Sequence, residues 1–312
     1  MMQLQEVDLR LLRVFDAVVR CGGFSAAQAE LNVGQSTISM QIAQLEVRLG
    51  TRLCERGRGG FRLTDQGRTV REATQRLLIA IDDFRSEADL LKKTVSGTLN
   101  LGLIDNTVTD RDSPLPAVLK RFLSRGPDVG VHIYIGSPSE LEQRVLDGRL
   151  HAAIGHFPHP VPGLASVKLY DEPHGLFCGA EHVLAQSQGS AARKLIEQLQ
   201  GARVVARGYL RRKDLDLLQV DAAALTADNV EAQAILILSG SCIGFLPLHY
   251  AAHWVLKNEL LQLLPDRMTL VSHFSAITRR MKPAPLVKIF VSDLSETVKG
   301  RTAAMRSPIE SA

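Results

Sequence analysis

The segment between Ser25 and Leu49 constrains the fold of this chain more than any other part of the sequence. A short alanine-rich helix over 26–31 is followed by Asn32-Val33-Gly34, which is typical of a tight turn. The next helix is predicted over 35–49, because its apolar residues recur at helical spacing: Ile38, Ile42, Leu45 and Leu49. A further helix starts near Asp8, which is a good N-cap, and ends at Gly22-Gly23. This arrangement predicts a helix-turn-helix.

The opposite face of the helix over 35–49 is polar and almost uncharged. It carries short hydrogen-bonding side chains together with small or flexible ones: Ser36, Thr37, Met40, Gln41, Ala43 and Gln44. Side chains of this kind fit a DNA major groove and can read base edges. The alternative is a small helical bundle whose polar face is merely solvated.

A glycine-rich hairpin follows directly. Two short strands, 53–56 and 61–64, are joined by Gly57-Arg58-Gly59-Gly60. A hairpin with an arginine at its tip, placed after a helix-turn-helix, is typical of a wing, and Arg58 can enter the electronegative minor groove. Residues 1–63 contain eight Arg, no Lys and six acidic residues, and arginine is the better residue for bidentate phosphate or guanine contacts. Together the two elements favour DNA binding.

A long helix is predicted over residues 64–95. Its apolar positions alternate by four and three residues over the seam formed by Val70, Thr74, Leu77, Ile81, Phe84, Ala88 and Leu91. A helix of this length with one apolar seam needs a partner. A second copy of the chain would provide it, and packing against the same chain is the alternative.

The remaining two thirds of the chain alternate short apolar strands with helices, which indicates a mostly parallel sheet. Strands are predicted at 98–103, 131–135 and 152–155, and the chain is expected to cross into a second subdomain near 169–171 and to return at 274–277. We expect subdomain I at about 97–168 and 273–312, and subdomain II at about 169–272. Two lobes joined by two crossings form a cleft, where small ligands commonly bind.

Several other functions are disfavoured by the sequence. No apolar stretch has the length of a membrane span, no leader peptide is recognisable, and the four scattered cysteines are typical of reduced thiols, so a cytoplasmic protein is expected. Walker, dinucleotide-binding and HExxH motifs are absent, so neither a cofactor, a metal site nor an enzymatic activity is expected. Gly240-Ser241-Cys242-Ile243-Gly244 imitates a nucleophile elbow, but its helix-to-strand order is reversed. His151, His156 and His159 lack the companion residues of a metal site.

The residues 26–39, Ile42–Glu46, Leu49–Leu53, Glu55-Arg56 and Leu63–Gly67 closely resemble the DNA-binding region of LysR-type transcriptional regulators. The motif match covers about residues 8–93. The resemblance implies an α+β multidomain protein. Its parts would be a winged helix-turn-helix at 1–63, a dimerising linker helix at 64–95, and a periplasmic-binding-protein-like α/β effector domain of two subdomains at 96–312.

Carried over by position, the resemblance implies two sets of contacting residues. The DNA-binding set is Gln35, Ser36, Ser39, Met40, Gln41, Arg56, Arg58 and Arg62. The effector-binding set is Asp105, Asn106, Thr107, Ser137, Ser139, His156, Arg207, Tyr209, Asn229 and Phe245. The charge of the effector stays open, because a buried Asp105 would disfavour an anion unless Arg207 offset it.

The resemblance also implies partners. These are a double-stranded DNA operator, a small-molecule effector and further copies of the chain, as a homodimer through the linker helix and as a homotetramer. RNA polymerase is left open as an additional partner, and no membrane contact is expected. Two rival interpretations remain at this stage: a free solute-binding protein with the same cleft, and an architectural DNA-binding protein that has no effector.

Overall fold

The computed structural model describes residues 5–57, 60–91, 94–187, 192–208, 213–280 and 283–306. The chain divides into two compact units, Met1–Arg85 and Ser86–Ala312. The division falls inside the long helix that the sequence assigns to a separate linker segment.

Three helices and a hairpin form the N-terminal unit, together with the first part of the long helix. The helices are α1 (Glu6–Arg20), α2 (Ala27–Leu31), α3 (Gln35–Leu49) and α4 (Asp65–Leu91), and the hairpin strands are β1 (Cys54–Gly57) and β2 (Gly60–Leu63). The core is apolar and lies between α1, α2 and α3, where Leu11, Phe15, Ile38 and Leu45 are fully buried. The helix-turn-helix and the hairpin therefore occur where the sequence predicts them.

The start of α1 differs from the prediction. The N-cap is Gln5, and Asp8 is the third helical residue, where its Oδ2 accepts a hydrogen bond of 2.8 Å from the Gln5 amide. Asp8 is also fully buried and paired with Arg48 of α3. A distant ion pair therefore fixes Asp8, and a local capping rule could not anticipate it.

Subdomain I of the C-terminal unit is a sheet covered by helices. Its strands are β3 (Gly97–Leu103), β4 (Val129–Ile135) and β5 (Ala152–His156), and its helices are α5 (Leu115–Leu123), α6 (Pro138–Leu146) and α11 (Pro285–Arg306). Strand β3 pairs in parallel with both β4 and β5. The core between sheet and helices is apolar and includes Leu101, Phe122, Ile154 and Phe290.

Two long strands run from one subdomain into the other. They are β6 (Leu164–Gly179) and β11 (Thr269–Arg279), and they pair in antiparallel fashion over nearly the whole length of β11. The register shifts between Phe274 and Ser275, where Leu169 of β6 has no partner residue on β11. This bulge lies at the crossing point that the sequence predicts.

Subdomain II surrounds the far ends of these strands. It contains strands β7 (Val205–Arg207), β8 (Leu225–Ala227), β9 (Ile243–Pro247) and β10 (Leu260–Leu263), and helices α7 (Ala192–Leu199), α8 (Lys213–Leu218), α9 (Val230–Leu238) and α10 (Leu248–Leu256). Strands β9 and β10 pair with β6, and β7 pairs in parallel with β8. Apolar runs in the sequence predict strands at 204–207, 224–227 and 243–247 and a helix at 230–239, which correspond to β7, β8, β9 and α9. They do not predict α7, α8, α10 or β10.

Candidate functional site

Helix α3 presents one polar face to solvent. Its apolar residues Ile38, Ile42 and Leu45 are buried in the core of the N-terminal unit. The residues on the outer side are exposed or partly exposed, and they include Gln35, Ser36, Ser39, Met40 and Gln41. The structure therefore brings all five helical residues of the predicted DNA-binding set to one surface.

Two contacts hold α3 in place. The Arg48 guanidinium donates to the buried Asp8 carboxylate through Nε and through Nη2, the latter at 2.7 Å, and this pairing lowers the pKa of Asp8 against the opposing effect of burial. Two residues earlier on α3, Glu46 Oε1 accepts hydrogen bonds from the amides of Leu53 and Cys54 at 2.7 and 3.1 Å. The helix is therefore tied to α1 on one side and to the start of the hairpin on the other.

Gln28 joins the two helices of the helix-turn-helix. Its Oε1 accepts a hydrogen bond of 3.2 Å from the Gln35 amide, the first of α3, and its Nε2 donates to the Ser25 carbonyl at 3.3 Å. The spacing of Ser25 and Gln28 is typical of a capping box and predicts Ser25 as the cap of α2, but the N-cap residue is Ala26 and no side chain caps the helix. The Gln28 side chain therefore links the start of α3 to the segment that precedes α2.

The hairpin supplies the cationic part of the predicted DNA surface. Arg62 is exposed on β2, and Phe61 beside it packs edge-on against Phe24 with ring centroids 5.7 Å apart. Arg58 and the side chain of Arg56 lie outside the described residues. Close packing requires Gly67 after the hairpin, because a Cβ there would lie 2.0 Å from the Leu53 carbonyl oxygen.

The two halves of helix α4 differ in how far their apolar side chains are exposed. Thr64 caps its start, accepting a hydrogen bond of 2.9 Å from the Gly67 amide. Val70 and Leu77 pack partly buried against the core of the N-terminal unit. Farther along, Phe84 and Leu91 are 71% and 88% exposed. The first half of the predicted seam therefore packs within the chain, and the second half is open.

A cavity of about 700 Å³ lies between the two subdomains of the C-terminal unit. Subdomain I contributes the start of α6, with Ser137 as the N-cap and Ser139 nearby, and subdomain II contributes Gly208 and Asn229. Four acidic residues line it as well: Asp105, Glu140, Glu142 and Asp228. Four members of the predicted effector set, namely Asp105, Ser137, Ser139 and Asn229, thus meet at one cavity.

Asp105 spans the cleft. It follows β3 in subdomain I, and its Oδ2 accepts a hydrogen bond of 2.7 Å from the amide of Val230, the first residue of α9 in subdomain II. Burial raises the pKa of this carboxyl, opposed by the Val230 amide and by the charge of Arg207. A carboxylate of the chain itself therefore occupies the positive end of α9, where an anionic ligand would otherwise be favoured.

The other members of the predicted effector set that the structure describes do not line this cavity. Phe245 is fully buried in the core of subdomain II, because both faces of β9 are covered. His156 is buried with its Nδ1 3.2 Å from the His273 carbonyl, and burial lowers its pKa. Asn106 and Thr107 form the turn after β3, and Tyr209 lies outside the described residues.

Arg207 is also turned inward, into a buried polar network that the sequence did not predict. Its Nη2 donates to His174 Nδ1 at 3.0 Å, and His174 Nε2 lies 2.9 Å from Glu172 Oε2. Burial lowers the pKa of His174 to about 4. Burial alone would raise the pKa of Glu172, but hydrogen bonds from His174 and His249 outweigh it and lower the value to about 2. The network joins Glu172 and His174 of β6 to Arg207 of β7 and His249 of α10, and no sequence motif joins these three elements.

The structure offers no support for a cysteine nucleophile or for a site built on the three histidines named above. Cys242 is fully buried, and burial raises the pKa of its thiol. His151 Nδ1 accepts a hydrogen bond of 2.9 Å from the Asn100 amide, whereas His159 lines the cavity. None of the described helices combines the length and the apolarity that a bilayer crossing demands.

Known proteins resemble this chain over both of its units. The family model "Bacterial regulatory helix-turn-helix protein, lysR family" matches residues 9–68, and "LysR substrate binding domain" matches residues 92–299. The HTH-type transcriptional activator BauR of Pseudomonas aeruginosa is 39% identical over 287 residues, which are 91% of this chain and 93% of that relative.

Solved structures agree in fold. The crystal structure of CbnR, a LysR family transcriptional regulator, matches with a TM-score of 0.65 at 21% identity, covering 93% of this chain and 99% of its own. Full-length CbnR in complex with its target DNA matches with the same coverage and TM-score. The expected fold class, a helix-turn-helix unit followed by a two-lobed α/β domain, is thereby confirmed.

Proposed function

The chain belongs to the LysR family of bacterial transcriptional regulators, which bind DNA and are not enzymes, and we propose how its surfaces divide that work. The outer face of α3 reads base edges in a major groove through Gln35, Ser36, Ser39, Met40 and Gln41. Arg62, with Arg56 and Arg58, holds phosphates or the minor groove. The observation that carries this proposal is the single exposed, uncharged polar face of α3 beside an exposed arginine of the hairpin.

The two kinds of contact are separable in a salt titration. Arg62→Ala removes one phosphate contact, so affinity falls for every duplex and the slope of log K against log salt decreases by about 1. Gln35→Ala leaves the slope unchanged and relaxes preference at one base pair by about 1–3 kcal/mol. Fluorescence anisotropy with an operator and a scrambled duplex measures both effects, and two variants with wild-type affinity and slope would refute the docking.

The cavity between the subdomains is the proposed effector site. The N-terminal end of α6 offers backbone amides and the Ser137 and Ser139 hydroxyls, and Asn229 faces them from subdomain II. A ligand that touches both lobes favours one relative pose of the lobes by the difference between its affinities for the two poses. In this proposal, that pose controls the spacing of the DNA-binding units in an oligomer.

A thermal-shift screen of metabolites on the full chain tests the effector site. A ligand present at about 100 times its dissociation constant should stabilise the protein by about 2.7 kcal/mol. Asn229→Ala should reduce that shift, whereas Ser124→Ala, at the end of α5, should not. A ligand whose shift is the same in both variants binds elsewhere, and a ligand that leaves the DNA footprint unchanged does not regulate through this cleft.

We further propose that the chain forms a homodimer through α4 and a homotetramer through its C-terminal units. The exposed Phe84 and Leu91 on α4 support the first contact. Exposed Ile133 on β4, at one end of the sheet order, supports the second. RNA polymerase is a proposed further partner on the basis of the family alone.

A further inference from the structure

Three potential metal ligands converge near the middle of the C-terminal unit, and none of them lines the effector cavity. Asp110 follows the short turn Thr107–Thr109 of subdomain I, Glu172 lies on the crossing strand β6, and His249 lies in the first turn of α10 in subdomain II. His249 Nε2 is 2.9 Å from Glu172 Oε1 and 4.0 Å from Asp110 Oδ2.

One atom of this cluster is left without a partner. The Asp110 side chain is only 6% exposed, and its Oδ1 accepts a hydrogen bond of 2.8 Å from the Asp112 amide. Its Oδ2 is buried and has no hydrogen-bond partner among the described residues, since 4.0 Å to His249 is too long. A buried carboxylate oxygen in this position costs stability unless a cation compensates it.

We propose that Asp110, Glu172 and His249 bind a divalent transition-metal ion of the zinc class. Their three nearest ligand atoms lie within 4.8 Å of one another, so small side-chain shifts would place an ion at about 2.0–2.2 Å from each. Two carboxylates and an imidazole, without a thiolate, are ligands that favour zinc and its neighbours over a soft ion such as Cu(I). A water molecule completes a tetrahedral site.

Neighbouring residues contact two of the three proposed ligands and orient them. Thr109 Oγ1 lies 2.8 Å from His249 Nδ1, so the other ring nitrogen is directed at Glu172. His174 lies 2.9 Å from the second oxygen of Glu172. Partners of this kind fix the orientation of metal ligands in proteins.

The charges also suit a cation. Arg207 is the guanidinium of this network, and it contacts His174 rather than any of the three ligands. The ligand set itself contains two carboxylates, and carboxylate oxygens bind divalent cations. The ion would join the turn after β3, the crossing strand and α10, and would thereby fix the pose of the two lobes independently of the effector.

Metal binding by the full chain tests the proposal. Protein stripped with a chelator is dialysed against Co²⁺ and against Zn²⁺, and bound metal is measured by elemental analysis and by visible absorption. The expected result is one ion per chain, with the d–d bands of a low-symmetry Co²⁺ site and without a thiolate charge-transfer band. Zn²⁺ should displace Co²⁺ and raise the melting temperature of the C-terminal unit.

Variants identify the ligands. Asp110→Asn and His249→Gln should each abolish the Co²⁺ bands, and Thr109→Val should weaken binding by about 10- to 100-fold. His253→Gln is the matched control, because His253 is exposed on the same helix α10 and should leave binding unchanged. Circular dichroism establishes that each variant is folded. Absence of binding in the wild type, or binding that survives in folded His249→Gln and Asp110→Asn, overturns the proposal.

Discussion

The recognition surface and the effector cavity are built in opposite ways. The five proposed DNA-reading residues of α3 lie on one helix of 15 residues, whose buried face fixes the direction of its outer face. The cavity draws its lining from segments that begin at Asp105 and end at Asn229, on two subdomains. A surface carried by one helix follows from periodicity alone, whereas a cavity depends on tertiary packing that periodicity does not encode.

The largest expected effect is a loss of stability of the N-terminal unit that leaves the C-terminal unit, with its cavity, unchanged. Gly67→Ala places a Cβ against the Leu53 carbonyl oxygen, so the backbone must move, at a cost of about 3 kcal/mol. We expect DNA binding to be lost and the N-terminal unit to melt earlier, while the C-terminal unit keeps its melting temperature. Differential scanning calorimetry of the full chain measures both transitions.

A matched glycine gives the control for this variant. A Cβ at Gly300, on the exposed side of α11, meets no atom within 4 Å. Gly300→Ala should therefore be neutral or stabilise α11 by about 0.5–1 kcal/mol. If Gly67→Ala lowered both transitions equally, the two units would not be energetically separate.

The next effect concerns the open half of α4. If a second copy covers Phe84, Phe84→Ser should cost about 2–3 kcal/mol per copy of buried apolar contact. The dimer loses two such contacts, about 4–6 kcal/mol, so its dissociation constant should rise by at least about 700-fold, since 1.4 kcal/mol corresponds to a factor of ten. Sedimentation velocity measures this change.

Another exposed apolar residue serves as the comparison. Val183→Ser alters a side chain that is 73% exposed and belongs to subdomain II rather than to α4. Its assembly should match that of the wild type. A dimer that is equally stable in both variants would assign the interface to another surface.

The smallest effects are pH-dependent and opposite in sign for the two regions. Arg48 lowers the pKa of Asp8, so the stabilisation from this carboxylate is present above its unfolded pKa of about 3.9 and is lost as the pH falls through the lower folded pKa. Burial raises the pKa of Asp105, so its contribution is greatest below the unfolded pKa and is lost as the pH rises through the folded pKa.

Thermal unfolding of Asp8→Asn and Asp105→Asn, followed from neutral pH to a pH below the lowered pKa of Asp8, distinguishes the two cases. On acidification, the advantage of the wild type over Asp8→Asn should shrink. Its advantage over Asp105→Asn should grow, or its disadvantage should lessen. The same trend for both variants would contradict the opposite environments of the two carboxyls.

The sequence predicted most of the secondary structure and a part of the site. Strands β3, β4 and β5 and the crossing at Leu169 follow from apolar runs and their spacing. Periodicity could not reveal that Arg207 turns inward to His174. All three side chains of β7 are buried, so the strand lacks the alternation of buried and exposed residues that would indicate direction. The predicted strands and crossings therefore indicated where a cleft would lie. The direction of each side chain depends instead on the elements packed around it, which the sequence pattern does not give.

The antiparallel pairing of β6 with β11 determines how the sensor domain can move. The two connections between its lobes are hydrogen-bonded to each other on both sides of the bulge at Leu169. Neither connection is therefore an unpaired, flexible linker. The lobes form the ends of one short, stiff ribbon, and the softest deformation of such a ribbon is a twist about its long axis. For the effector response proposed above, we therefore expect a small twist of one lobe against the other rather than a wide opening of the cleft.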